Sequence, residues 1–216
     1  MNRANSNRIR LGVLAFPSFG FVALLGALTP GIGINPATDP AGFAKAANLV
    51  GLANVAGVFA FVLQLYGFQA LHSFLAGTNV ERPSFVGMIL SIAGGALYLP
   101  FLGIIAFAGP VAGKAYLNGQ VQAVNIISDS TSVTNPATLV VGGGSVLLYI
   151  LGSILFSIAI WRSKKIPKWS AVAYTVSAPL NIIPHYNAAL WITGAVLFLA
   201  AGLGIVRGVW KNMQNQ

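Results

Sequence analysis

The chain has few side chains capable of chemistry, and their placement limits what that chemistry can be. His72 and His185 are its histidines, Asp39, Glu81 and Asp129 its acids, and cysteine is absent. Without thiols there is no disulfide, no thiolate metal site, no cysteine-ligated iron–sulfur cluster and no cysteine nucleophile. The acids fall in turn-rich connections, too scattered for a carboxylate-bridged metal pair or an aspartate-rich motif. No Lys or Arg interrupts the middle of an apolar run. That removes the Schiff-base lysine of a retinal protein and the intramembrane charges of ion-coupled pumps. With the histidines near opposite ends of their helices in this topology, roughly 20–30 Å of rise separates them, so they cannot clasp one haem within a single subunit. His72, with Gln69 one turn before it, reads as an interfacial residue that reaches headgroups or water.

One apolar segment accepts groups that lipid penalises: "SAPLNIIPHYN", residues 177–187. On an ideal helix Ser170, Tyr174, Ser177, Asn181 and His185 fall within an arc of about 80°. Pro179 and Pro184 carry no amide hydrogen, so the carbonyls of Thr175 and Leu180 lose their helical partners. In hydrocarbon those carbonyls need water, a ligand or a neighbouring helix, and proline-broken spans commonly line binding cavities. The expected small-ligand site is therefore Tyr174, Ser177, Asn181 and His185, turned into a bundle near its outer end. A competing reading stays open. In it the same groups bond only to neighbouring helices, and residues 184–187 form a turn with Asn187 capping the next helix.

These residues must be held by membrane helices. Of 216 residues, 56% are hydrophobic and 7% charged, against about a quarter charged in soluble domains. Several apolar runs reach the ~20 residues that a helix needs to cross a bilayer, and no alternation of barrel type is present. The expected fold class is all-α: a polytopic bundle of six transmembrane helices in a single integral membrane domain, 1–216. The spans fall at about 10–30, 44–76, 84–108, 137–161, 168–185 and 187–209, with an outer loop at 109–136.

Charge sets the orientation. With both termini cytoplasmic, Arg3, Arg8, Arg10, Arg82, Arg162, Lys164, Lys165, Lys168, Arg207 and Lys211 lie inside, and Lys45 and Lys114 outside. This is the positive-inside bias of a membrane protein. It accounts for the net charge of +9 without a nucleic-acid partner. The basic connection Arg162, Lys164, Lys165 and Lys168 should contact anionic lipid, at about 1 kcal/mol per cation near the surface. The basic, apolar start reads as a first membrane helix rather than a cleaved leader.

Other patterns concern assembly. Ala200, Gly204 and Gly208, Gly94-Gly95 and Gly142–Gly144 are small residues of the kind that let membrane helices approach closely. In the long outer connection, the first half suggests a short interfacial helix, and Asn135-Pro136 a helix start. Basic residues Arg10, Arg82 and Lys168 each precede an outward-going span that contains a proline (Pro17, Pro100, Pro179), which positive-inside bias and membrane-tolerated proline explain without a repeat.

Two resemblances emerge. "GGGSV" puts Ser145 at a depth comparable to His185, and six spans with a serine and a histidine at one depth resemble rhomboid intramembrane proteases. Here, however, Val146 follows Ser145 where those enzymes have glycine. The histidine lies on the fifth span rather than the last, and the second-span oxyanion group is missing. Gly142–Ser145 reads better as a packing surface. "IWRSKKIPKWSAVAY", residues 160–174, with six short spans, is similar to small six-span bacterial membrane proteins of unknown function. That resemblance implies a layout and a bacterial inner membrane, with no activity attached. The resulting expectation is a non-enzymatic structural or accessory component, alone or with other membrane subunits or copies of itself. It would bind a small neutral or lipid-like ligand near the outer end of the fifth helix. The alternatives are a facilitative transporter or channel for an uncharged solute, and a membrane enzyme or cofactor-binding protein using His185.

Overall fold

A computed structural model describes residues 3–183 and 187–214, and every regular element among them is helical. Arg3–Val13 (α1) and Ala15–Ala27 (α2) form one rod with a break at Leu14, where Pro17 offers no hydrogen to the carbonyl of Val13. Pro40–Leu75 (α3) begins at Asp39, whose Oδ1 accepts from the Gly42 amide at 2.8 Å. The proline stands in the first turn, where its missing hydrogen costs nothing.

Glu81–Gly103 (α4) runs through a π turn, Ile104–Ala108, straight into Gly109–Leu117 (α5). The break expected at Gly109-Pro110 is therefore corrected: residues 81–117 form one continuous helix. The physical reason is the turn itself. Pro110 cannot bond the carbonyl of Ala106, and the widened i→i+5 register, with Gly109 N donating to Ile104 O, carries the helix past that gap. Ala123–Thr131 (α6) supplies a second short helix in the connection read as a loop. Pro136–Ser163 (α7) starts at Asn135, which caps Ala137 N at 3.0 Å. Lys168–Ile182 (α8) and Ala188–Gln214 (α9) complete the chain. Asn187 caps α9 through Ala189 N at 3.0 Å.

Among the described residues five helices are long and apolar enough to cross a membrane: Asn5–Ala27, Pro40–Leu75, Glu81–Leu117, Pro136–Ser163 and Ala188–Gln214. The fifth expected span is shorter than anticipated. α8 has 15 residues, about 22 Å of rise, against a hydrocarbon layer of about 30 Å. It nevertheless lies antiparallel in the bundle: Leu180 meets Gly194 near one end, and Ser170 meets Gly204 near the other.

The long helices form a closed ring in chain order. α2 packs on α3, α3 on α4, α4 on α7, α7 on α8, α8 on α9, and α9 returns to α2. Glycines set the close contacts. A Cβ at Gly20 would lie 2.5 Å from Leu199 N, one at Gly202 2.5 Å from Pro17 N, and one at Gly94 2.5 Å from Tyr149 N. The ring's axis is filled with aromatic side chains. Phe16 touches Phe68 (5.7 Å between centroids), Tyr174 (5.9 Å) and Phe198 (6.4 Å), and Phe68 stacks on Phe156 at 5.6 Å. Edge-to-face and offset-stacked pairs of this kind contribute about 0.5–1.5 kcal/mol beyond their area. A smaller cluster of Phe43, Ala47, Val50, Val124 and Ile127 lies where α5 and α6 cover the start of α3.

Candidate ligand cavity

α3 explains how polar groups reach the interior. Asn54, Phe61, Phe68 and Leu75 recur every seven residues, and all four are buried, so one stripe of this helix faces the ring axis. Gln64, one turn from Phe61, is also fully buried, and its Nε2 donates to the Tyr149 hydroxyl at 2.8 Å. Around this bond lie three more buried polar atoms: Gln64 Oε1, Ser91 Oγ and Tyr174 Oη. Ser91 stands beside the Tyr174 phenol, but neither hydroxyl makes a hydrogen bond of good geometry among the described residues. In hydrocarbon such groups are expensive to bury. A polar cluster contributed by α3, α4, α7 and α8 therefore sits inside the aromatic core.

Beyond it, toward the C-terminal end of α2, the ring opens into a cavity of about 100 Å³. Its lining includes Phe19 from α2, Asn54 and Phe61 from α3, Tyr98 from α4, Asn181 from α8 and Trp191 from α9. Phe19 and Phe61 meet edge to face at 4.8 Å, and Phe61 lies 5.5 Å from Tyr98. These rings separate the cavity from the Gln64–Tyr149 pair. A water needs about 10–15 Å³ of such space, so there is room for several waters or for a molecule of a few heavy atoms.

The two asparagines set its chemistry. Asn54 Nδ2 donates to Val50 O at 2.8 Å, and Asn181 Nδ2 donates to Ser177 O at 2.8 Å. Each amide is thus tethered to the carbonyl one turn back in its own helix. That fixes the rotamer and keeps a carbonyl oxygen and a second amide hydrogen for other partners. Both groups are neutral and can donate and accept. A hydroxyl, amide or carbonyl compound suits such a lining, and an ion does not, because no charged side chain lines the cavity.

The expected site residues are divided by the structure. Asn181 lines the cavity. Tyr174 is packed beneath it against Phe16 and Phe198. Ser177 is buried, and its Oγ donates to Tyr174 O at 2.9 Å, within its own helix. His185 lies outside the described residues. Ser170, from the same stripe, is buried against Gly204. His72, expected at the interface, stands in the last turn of α3. It is half-buried, with Nδ1 2.8 Å from Ser84 Oγ and its ring 5.4 Å from Phe85, so it clips α3 to α4 across the turn between them. Ser145 bonds Gly142 O at 2.7 Å, and its own carbonyl crowds Gly94, the arrangement of a packing residue.

In the basic connection the four cations take different positions. Arg162 and Lys168 are exposed, Lys164 ends α7 in a left-handed conformation (φ 54°), and Lys165 Nζ lies 5.3 Å over the Phe74 ring. Asn54, Gln64, Ser91 and Tyr149 were not picked out from the sequence. The available signal was an uncharged amide mid-way along the second span, which a search for ionisable groups passes over. Among the described residues no group of three His, Cys, Asp or Glu side chains could hold a metal. Comparison with protein-family models, curated proteins and solved structures yields no match.

Proposed function

We propose that this is a multi-pass inner-membrane protein whose outer cavity binds a small neutral molecule through Asn54 and Asn181, serving as an accessory or binding component rather than a catalyst. The observation that carries the reading is the pair of tethered amides, from α3 and α8, lining one cavity with otherwise largely apolar walls. Ligand sites of this kind are concave and mostly apolar, with a few placed polar groups. A layout of six passes with both termini cytoplasmic, as in the small bacterial proteins that the sequence resembles, is supported by the antiparallel seat of α8. It is supported too by the bond from Arg10 Nη2 to Met213 O at 3.1 Å, which joins the two ends of the chain on one face.

The test is chemical identification of what purifies with the protein. Wild type in mild detergent should carry a neutral compound, identified by mass and, if coloured, by its absorption spectrum. The Asn54→Leu and Asn181→Leu variants should carry it at least tenfold less, as when a buried hydrogen-bond partner is removed from a site. A wild type that carries nothing the variants lack would sink the reading. Tags at residues 1 and 216 should report from the cytoplasm, and one at about residue 130 from outside. A carboxy terminus on the outer side would overturn the six-pass layout.

The polar cluster beneath the aromatic floor favours a second reading, passage of an uncharged solute along the ring axis. Flux into liposomes that is lost in Gln64→Leu would support it. Equal flux in the variant and in protein-free vesicles would exclude it.

A further inference from the structure

The lipid-facing side of the ring carries a feature unrelated to the cavity. α7 and α8 touch through small groups at Ser157 and Ala171, and outside that contact they leave a groove of about 380 Å³. Its walls are Ile154, Ile158, Trp161, Val172 and Thr175, and its inner end is Arg162. From Ile154 to Arg162 the helix rises about 12 Å, so the groove runs along the membrane normal from the inner interface toward the middle of the bilayer. At its mouth Lys168 Nζ sits 5.1 Å over the Trp161 ring, within cation–π range, which holds a second cation at that end of the groove. Among the described residues no carboxylate serves this pair. Asp39 and Asp129 belong to the outer connections, and Glu81 accepts from Gly77 N at 2.9 Å.

We propose that this groove binds one anionic phospholipid, its phosphate between Arg162 and Lys168 and one acyl tail along Ile154, Ile158 and Val172. Charge and shape argue for it independently. A guanidinium fork matches two phosphate oxygens where an ammonium supplies a point charge. The branched walls suit a hydrocarbon chain and offer a soluble partner nothing. Lys164 and Lys165 take no part, the first at the helix end and the second committed to Phe74. The site is therefore narrower than a general attraction of four cations to the inner leaflet.

Native mass spectrometry of the full chain, released from micelles holding equal phosphatidylglycerol and phosphatidylcholine with identical tails, tests it. Wild type should retain one phosphatidylglycerol in preference. The Arg162→Gln/Lys168→Gln variant should lose that preference about thirtyfold, from roughly fivefold per near-surface cation. The Lys45→Gln/Lys114→Gln variant, with the same change in net charge on the outer side, should keep it. Val172→Trp fills the groove from an exposed position and leaves the cations in place; it should also shed the lipid. The proposal fails if inner and outer charge variants behave alike, since attraction would then be diffuse. It fails equally if Val172→Trp retains phosphatidylglycerol as wild type does, since no tail would then lie in the groove.

Discussion

α7 has two neighbours in the ring, and it meets them in different ways. Against α4 it is pressed backbone to backbone: Cβ atoms at Gly87 and Gly94 would lie 2.9 Å from Phe156 N and 2.5 Å from Tyr149 N, and one at Gly152 2.6 Å from Ser91 N. Against α8 Ser157 Oγ donates to Ala171 O at 2.9 Å, and beyond that contact the two helices leave a groove. Between helices in lipid no hydrophobic force acts, because acyl chains are as apolar as leucine. Close approach follows where small residues recur, and branched side chains hold the helices apart where they do not. The tight seam fixes the frame of the protein, and the loose one gives lipid a place to lie.

That contrast can be broken at graded cost. Gly94→Ala should be the most damaging change, lowering stability by about 1–3 kcal/mol, because the added methyl meets main chain that cannot turn aside. Thermal unfolding in detergent would read it, and an unchanged midpoint would mean that the seam is softer than its geometry. Tyr149→Phe comes next, at about 1–2 kcal/mol, since Gln64 would lose its buried partner. In the Gln64→Leu/Tyr149→Phe double variant the two losses should not add. Ser157→Ala, on the loose seam, should cost about 0.6 kcal/mol, the usual worth of a hydrogen bond between membrane helices. Gly143→Ala should cost nothing, and exchange of a helix-interior glycine favours the variant by up to about 1 kcal/mol. Gly143 sits beside Gly142 in the same glycine run, yet among the described residues nothing lies within 4 Å of a methyl there. If Gly143→Ala proves as harmful as Gly94→Ala, the comparison between the seams is wrong.

The helices were legible because run length and charge are local properties. The spans expected at 44–76 and 137–161 differ from Pro40–Leu75 and Pro136–Ser163 by a few residues, and the caps at Asn135 and Asn187 are where turn chemistry places them. The third span was cut short because Gly109-Pro110 looks like an end. A π turn, which no local pattern announces, lets the helix pass. Asn181 could be found because several polar groups share its stripe. Asn54 could not, since a single amide in a span says nothing about which face meets the axis until six helices are placed around it. Gly142–Gly144 misled in part. Gly142 meets the Phe101 ring, whereas nothing lies near Gly143 or Gly144, so glycine spacing predicts contact only when a partner helix happens to pass.

The ring has a clasp. Its last helix returns to its first, with Trp210 Nε1 donating to Arg10 O at 3.3 Å and Arg10 to Met213 O. In the finished bundle α9 covers one side of the ring, where Phe198 lies against Phe16 and Tyr174. Maturation therefore hinges on a late event: a polypeptide stopped at residue 187 should be cleared by membrane proteases, while one completed even slowly becomes a closed hoop.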